Sequence, residues 1–213
     1  MSARRGFSFK VGNIEDCMVA ALVEYCAEYK PDVAPYSGEL DAKQLREAID
    51  SLTPRFPLFL VSYADGEDKL HTPTGPEIGA PRVFKHVCSF TVICCDDDAR
   101  GETARRRGAH GHPGVQAMIE DADAALSRMQ FVVVLEGDER VLLNEEPLNP
   151  AGVEHIAQLP EMTAYARHYD TYFLYGTPDR REPGAQVKEI AIAIFPGGAG
   201  ASRPATLPGV TLD

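Results

Sequence analysis

An alternating run from Val83 to Cys95 sets the architecture this chain can adopt. Phe84, His86, Cys88, Phe90, Val92 and Cys94 fall on one face of an extended strand, and Val83, Lys85, Val87, Ser89, Thr91, Ile93 and Cys95 on the other. Successive side chains of a strand point to opposite faces, so the first, more apolar set is expected to meet a helical layer. Asp96, Asp97 and Asp98 stop the run. Pro57 to Ala64 is a short apolar stretch between proline and Asp65-Gly66, and it reads as a strand buried on both faces at the centre of the sheet. Thr163 to Tyr175 alternates again, and Val187 to Phe195 has high β-propensity. Phe131 to Leu135 and Arg140 to Leu143 form a hairpin about Gly137-Asp138, with a further short strand from Gly152 to Leu159.

Helical periodicity places Ile14, Met18, Ala21, Leu22, Tyr25, Cys26 and Tyr29 on one face of a first helix, capped by Asn13 and ended by Pro31. A second helix after Asp41 carries Leu45, Ile49 and Leu52, and a third starts at Pro113 with Val115, Met118, Ile119, Ala122, Leu126 and Met129 on its core side. Glu67 to Pro81 is polar and aperiodic, a long loop or an extended β-arm, and Ala104 to Gly108 is a basic loop. With no repeat and no regular βαβ alternation, the pattern is α+β: a mixed or mainly antiparallel sheet covered by about three helices. Residues 1–195 form one domain, and the Gly/Pro/Ser-rich residues 196–213 a flexible tail.

At 213 residues the chain can build one core without disulfide or metal staples. Its five cysteines, Cys17, Cys26, Cys88, Cys94 and Cys95, form no Cys-x-x-Cys pair and read as reduced, buried thiols. A formal net charge of −11 argues against a surface that grips nucleic acid, because phosphate binding depends on clustered Lys and Arg. No stretch is apolar enough for a membrane helix or a signal peptide, so a soluble protein made in the cytoplasm is expected.

No motif names a reaction. His110-x-His112 with Asp96, Asp97 and Asp98 is the nearest approach to a metal site, but exposed imidazoles in a glycine-rich loop and aspartates that solvate a strand end are the simpler account. Gly197-Gly198-Ala199-Gly200 is followed by Pro204 and Pro208 instead of the helix a phosphate-binding turn requires. No catalytic residue, cofactor or metal is expected. Arg105-Arg106-Arg107 is the densest basic cluster in this acidic chain, suited to an acidic patch of a neighbouring subunit or to phosphate.

Three segments taken together carry a resemblance: Tyr36-Ser37-Gly38-Glu39-Leu40-Asp41, Arg55-Phe56-Pro57-Leu58-Phe59-Leu60-Val61-Ser62-Tyr63, and Ala99-Arg100-Gly101-Glu102-Thr103-Ala104-Arg105-Arg106-Arg107-Gly108. In order and spacing they resemble the Mu-like phage family of small tail proteins encoded just upstream of the tail sheath gene. The likeness covers most of residues 13 to 176. It implies a virion protein at the junction of tail and neck: a tail terminator or completion protein, a six-fold homomeric ring that caps tube and sheath and docks the neck connector. DNA would pass through its lumen without sequence-specific binding. A head-side connector is the alternative, and a small cytoplasmic enzyme a more distant one.

Rings close through two different complementary patches on each protomer. Candidate partner-binding residues are Glu39 and Asp41, the arginines Arg105, Arg106 and Arg107, and Val187, Ile190 and Ile192 on a last strand able to accept a sheath arm along its edge. With the arginines in a loop, Arg105→Glu with Arg106→Glu is expected to impair assembly and leave the monomer folded.

Overall fold

A computed structural model describes residues 6–37, 43, 45–47, 49, 54–71, 83–109, 112–135, 138–158 and 161–176, together with the backbone of 187–194. The elements are helix α1 (Phe7–Tyr25), strands β1 (Asp32–Pro35), β2 (Leu58–Leu70) and β3 (Val83–Asp96), helices α2 (Glu102–Arg107) and α3 (Gly114–Leu126), and strands β4 (Met129–Leu135), β5 (Arg140–Leu142), β6 (Asn149–Gln158), β7 (Thr163–Gly176) and β8 (Val187–Ile194). Residues 43, 45–47 and 49 are also helical. The fold is α+β. A five-stranded sheet runs β1-β2-β3-β7-β6, and a smaller one runs β5-β4-β8. Every pairing is antiparallel except β1 with β2.

The alternation of β3 works as read. Cys88, Phe90, Val92 and Cys94 enter the main core with Ile14, Cys17, Met18, Ala21 and Leu22 of α1 and Val115, Met118, Ala122 and Leu126 of α3. Phe131, Val133 and Leu135 of β4 extend that core. Each such side chain removed from water contributes about 1.5–3 kcal/mol when large and fully buried. The opposite face has a second core, where Leu45 and Ile49 cover Leu58, Leu60, Ile93, Cys95 and Ala164. All five cysteines are free and buried, and burial pushes the Cys88 thiol up to about 12.

Several boundaries differ from the sequence reading. The helix α1 begins six residues before Asn13, which lies inside it and donates to the Phe9 carbonyl. The strand β2 is second from the edge of its sheet, and β3 holds the centre. From Asp65 to Leu70, β2 continues as an exposed arm, held by pairing with Phe84–Ser89 although its own sequence is polar. The basic stretch expected as a loop is helix α2. Its exit is tight: Gly114 has φ +67, and a Cβ there would meet the Gly108 nitrogen at 2.1 Å. Leu52, Glu39, Asp41, His110, the glycine run 197–200 and the tail from 196 lie outside the described residues.

Candidate functional site

At the end of β3, the turn Asp96–Gly101 carries the chain into α2, and the arginines take three different environments. Arg105 is 6% exposed; its Nε donates to Thr163 Oγ1 at 3.3 Å and its Nη1 to the Asp98 carbonyl at 3.2 Å. This side chain fastens α2 to the start of β7. Arg105→Glu would put an uncompensated charge in that position, so the double substitution cannot be expected to leave the monomer intact. Arg106 faces Glu102 at 3.7 Å along the helix, and Arg107 is exposed. Val187, Ile190 and Ile192 fall in β8, in register with Leu135, Val133 and Phe131 of β4.

Around Arg105 lies a cleft of about 370 Å³, lined by Arg46, Asp97, Arg105 and Glu161 over an apolar base that includes Ile49, Phe56 and Met162. Arg46 is ion-paired with Glu161. Two cations and two carboxylates converge here, an arrangement suited to mixed polar side chains of a protein surface and poorly matched to a lone phosphate. Asp98 and Arg100 form a bidentate pair beside it, with Arg100 Nη2 also on the Ala109 carbonyl at 2.8 Å. The Arg100 hydrogen bonds hold the Asp98 carboxyl down at about 2.

The aspartates do not simply solvate a strand end. Asp96 is fully buried, and His112 Nδ1 lies 3.2 Å from its Oδ1 without hydrogen-bond alignment. Burial raises its carboxyl to about 6, against the opposing pull of His112. Among the described residues no three His, Cys, Asp or Glu side chains are grouped to hold a metal ion.

A polar chain at the other end of β3 escaped the sequence reading. His86 Nδ1 lies 2.6 Å from Asp68 Oδ1, Tyr63 Oη 2.9 Å from His86 Nε2, and the Tyr175 hydroxyl donates to Asp68 Oδ2 at 2.9 Å. With its hydrogen on Nδ1, the imidazole donates to the carboxylate and accepts from Tyr63. The order hydroxyl, imidazole, carboxylate resembles a relay, but His86 is 3% exposed and walled by Phe7, Phe173 and Tyr175. It braces the arm and offers no nucleophile to solvent. Gly66 is part of the brace, since a Cβ there would stand 2.3 Å from His86 Nε2. The only hint in the sequence was a histidine on an otherwise apolar strand face.

No described helix is long and apolar enough to cross a membrane. No curated protein matches the chain significantly. A family model, described as Bacteriophage Mu, Gp37, matches residues 10–174, from the first turn of α1 to the last residues of β7. Over most of its length, then, the chain answers to one description, and it belongs to the bacteriophage Mu Gp37 family of phage structural proteins.

Proposed function

We propose that this virion protein is the tail terminator or completion protein of a contractile tail: a homomeric, six-fold ring that caps the finished tube and sheath and presents a surface to the neck. The observation that carries the reading is the family match across residues 10–174, which includes α2, its cleft and four strands of the large sheet in full. Two features support it. The cleft beside Arg105 and the braced arm stand at opposite ends of β3, about 40 Å apart at strand rise, so one protomer offers dissimilar surfaces to dissimilar neighbours. The exposed carboxylates of the helical layer, Asp16, Glu24 and Glu120, and the net charge of −11 suit a conduit through which DNA passes without adhering.

Light scattering with negative-stain imaging tests this, on the protein alone and mixed with its own tube and sheath proteins. The expected result is a six-fold ring, free or seated on tube ends where growth stops. A protein that remains monomeric and ignores the tube overturns the reading and favours a connector on the head side.

A further inference from the structure

The described strands leave several edges, and they are protected unequally. The edge strand β1 has four residues, includes Pro35 and lies against α1. The outer edge of the β2 arm carries Asp65, Glu67, Asp68 and Lys69, the charged guard that discourages strand addition. The edge strand β5 has three residues. By contrast β6 runs for ten residues at the edge of the large sheet with one carboxylate, Glu154. Ala151, Val153, Glu154 and His155 are exposed, Val153 by 50%. Its marks of protection are Pro150 near its start and a pair of register shifts, between Pro150 and Gly152 and between His155 and Ala157. The edge of the small sheet, β8, is eight residues with one lysine and one glutamate, neutral in sum.

Charge decides which partner suits these edges. Two copies of a chain with net charge −11 repel wherever their acidic helical layers approach. A self-contact is therefore favoured where carboxylates are scarce, and main-chain hydrogen bonds along a strand supply affinity without charge. The two strands β6 and β8 are near-neutral, comparable in length and different from one another, and a contact between unlike patches is head-to-tail, the kind that propagates around a closed ring. We infer that the ring closes by pairing of β6 of one protomer with β8 of the next. The inference rests on the ring reading above and names its interface.

The test uses the full chain and two matched substitutions. Val153→Asp adds a carboxylate to β6; Val23→Asp adds one at an equally exposed valine of α1, away from the edge. The concentration for half-assembly should rise about tenfold or more with Val153→Asp and stay near wild type with Val23→Asp. A second arm combines Val153→Cys in turn with Lys188→Cys, Glu189→Cys, Ile190→Cys or Ala191→Cys, the five native thiols being buried. Mild oxidation should give a ladder of covalent multimers for at least one pair, and none from either single variant.

Rings that tolerate Val153→Asp and form no ladder overturn the interface and leave the terminator reading standing. A closed dimer from Val153→Cys alone also overturns it, because β6 would then pair with itself. A ladder from a protein that never arrests tube growth supports the interface and overturns the terminator reading.

Discussion

His86 and Asp96 lie on the same strand and the same face, about 33 Å apart, and both are buried against a carboxylate–imidazole partner. The two sites differ in satisfaction. Both ring nitrogens of His86 have partners, and the Asp68 carboxylate that holds one of them also accepts from Tyr175. Asp96 and the facing Nδ1 of His112 approach to 3.2 Å without an aligned side-chain hydrogen bond between them. A buried polar group stabilises a fold when its partners are in place and costs when they are not. The arm is thus held by a completed network, whereas the α2 end is held by Arg105 in spite of an incomplete one.

The largest effect should come from breaking the completed network. His86→Ala takes a partner from Asp68 and from the Tyr63 hydroxyl and opens a void among Phe7, Phe173 and Tyr175, so a loss of about 3 kcal/mol, most of it from the void, is expected in denaturant unfolding. A loss below about 1 kcal/mol would mean the arm is held by strand pairing alone. Gly66→Ala attacks the same network by crowding it, and should cost about 2 kcal/mol. In the double variant the two losses should not add, because the alanine at 86 removes the atom that the new Cβ would strike.

How far these sites were legible depended on the range of the interactions that build them. The strands β3 and β7, the helix α3 and the β4–β5 hairpin declare themselves through local periodicity. The polar half of β2 is a strand because β3 pairs with it; the sequence from Glu67 leaves a long loop and an extended β-arm both open, and only the pairing selects the arm as far as Leu70. The start of α1 was hidden for a similar reason. Gly6 gives no side-chain cap, and Lys10 resembles a surface residue, yet it is buried with its ammonium on the carbonyls of Leu142 and Leu143. The helix α2 has six residues, too few for a period, and its orientation is fixed by Thr163 far along the chain. The alternation placed His86 on the core face; its partners came only with the register.

At Asp96 the comparison predicts a change of opposite sign. An acid raised from 3.8 to about 6 in the folded state binds its proton more tightly folded than unfolded. Its favourable contribution is complete below about pH 4 and is lost as pH rises through about 6. Asp96→Asn removes the charge, so the variant should gain about 1 kcal/mol over wild type at pH 8 and lose that advantage toward pH 4. Unfolding midpoints measured at both pH values check this. A variant less stable than wild type at pH 8 would show that the His112 contact outweighs the burial of the charge.

The smallest effect sharpens the account of what holds the α2 end. Arg107 is exposed on the same helix that buries Arg105, so Arg107→Glu should change stability by no more than about 0.5 kcal/mol. Arg105→Ala should cost several times more, because the Asp98 carbonyl and Thr163 lose their donor. If Arg107→Glu leaves the melting curve in place but weakens attachment to tube ends, the exposed arginine belongs to the docking surface and the buried one to the fold. If it alters neither, Arg107 drops out of both roles, and the cleft beside Arg105, with Arg46 and Glu161, becomes the surface to vary next.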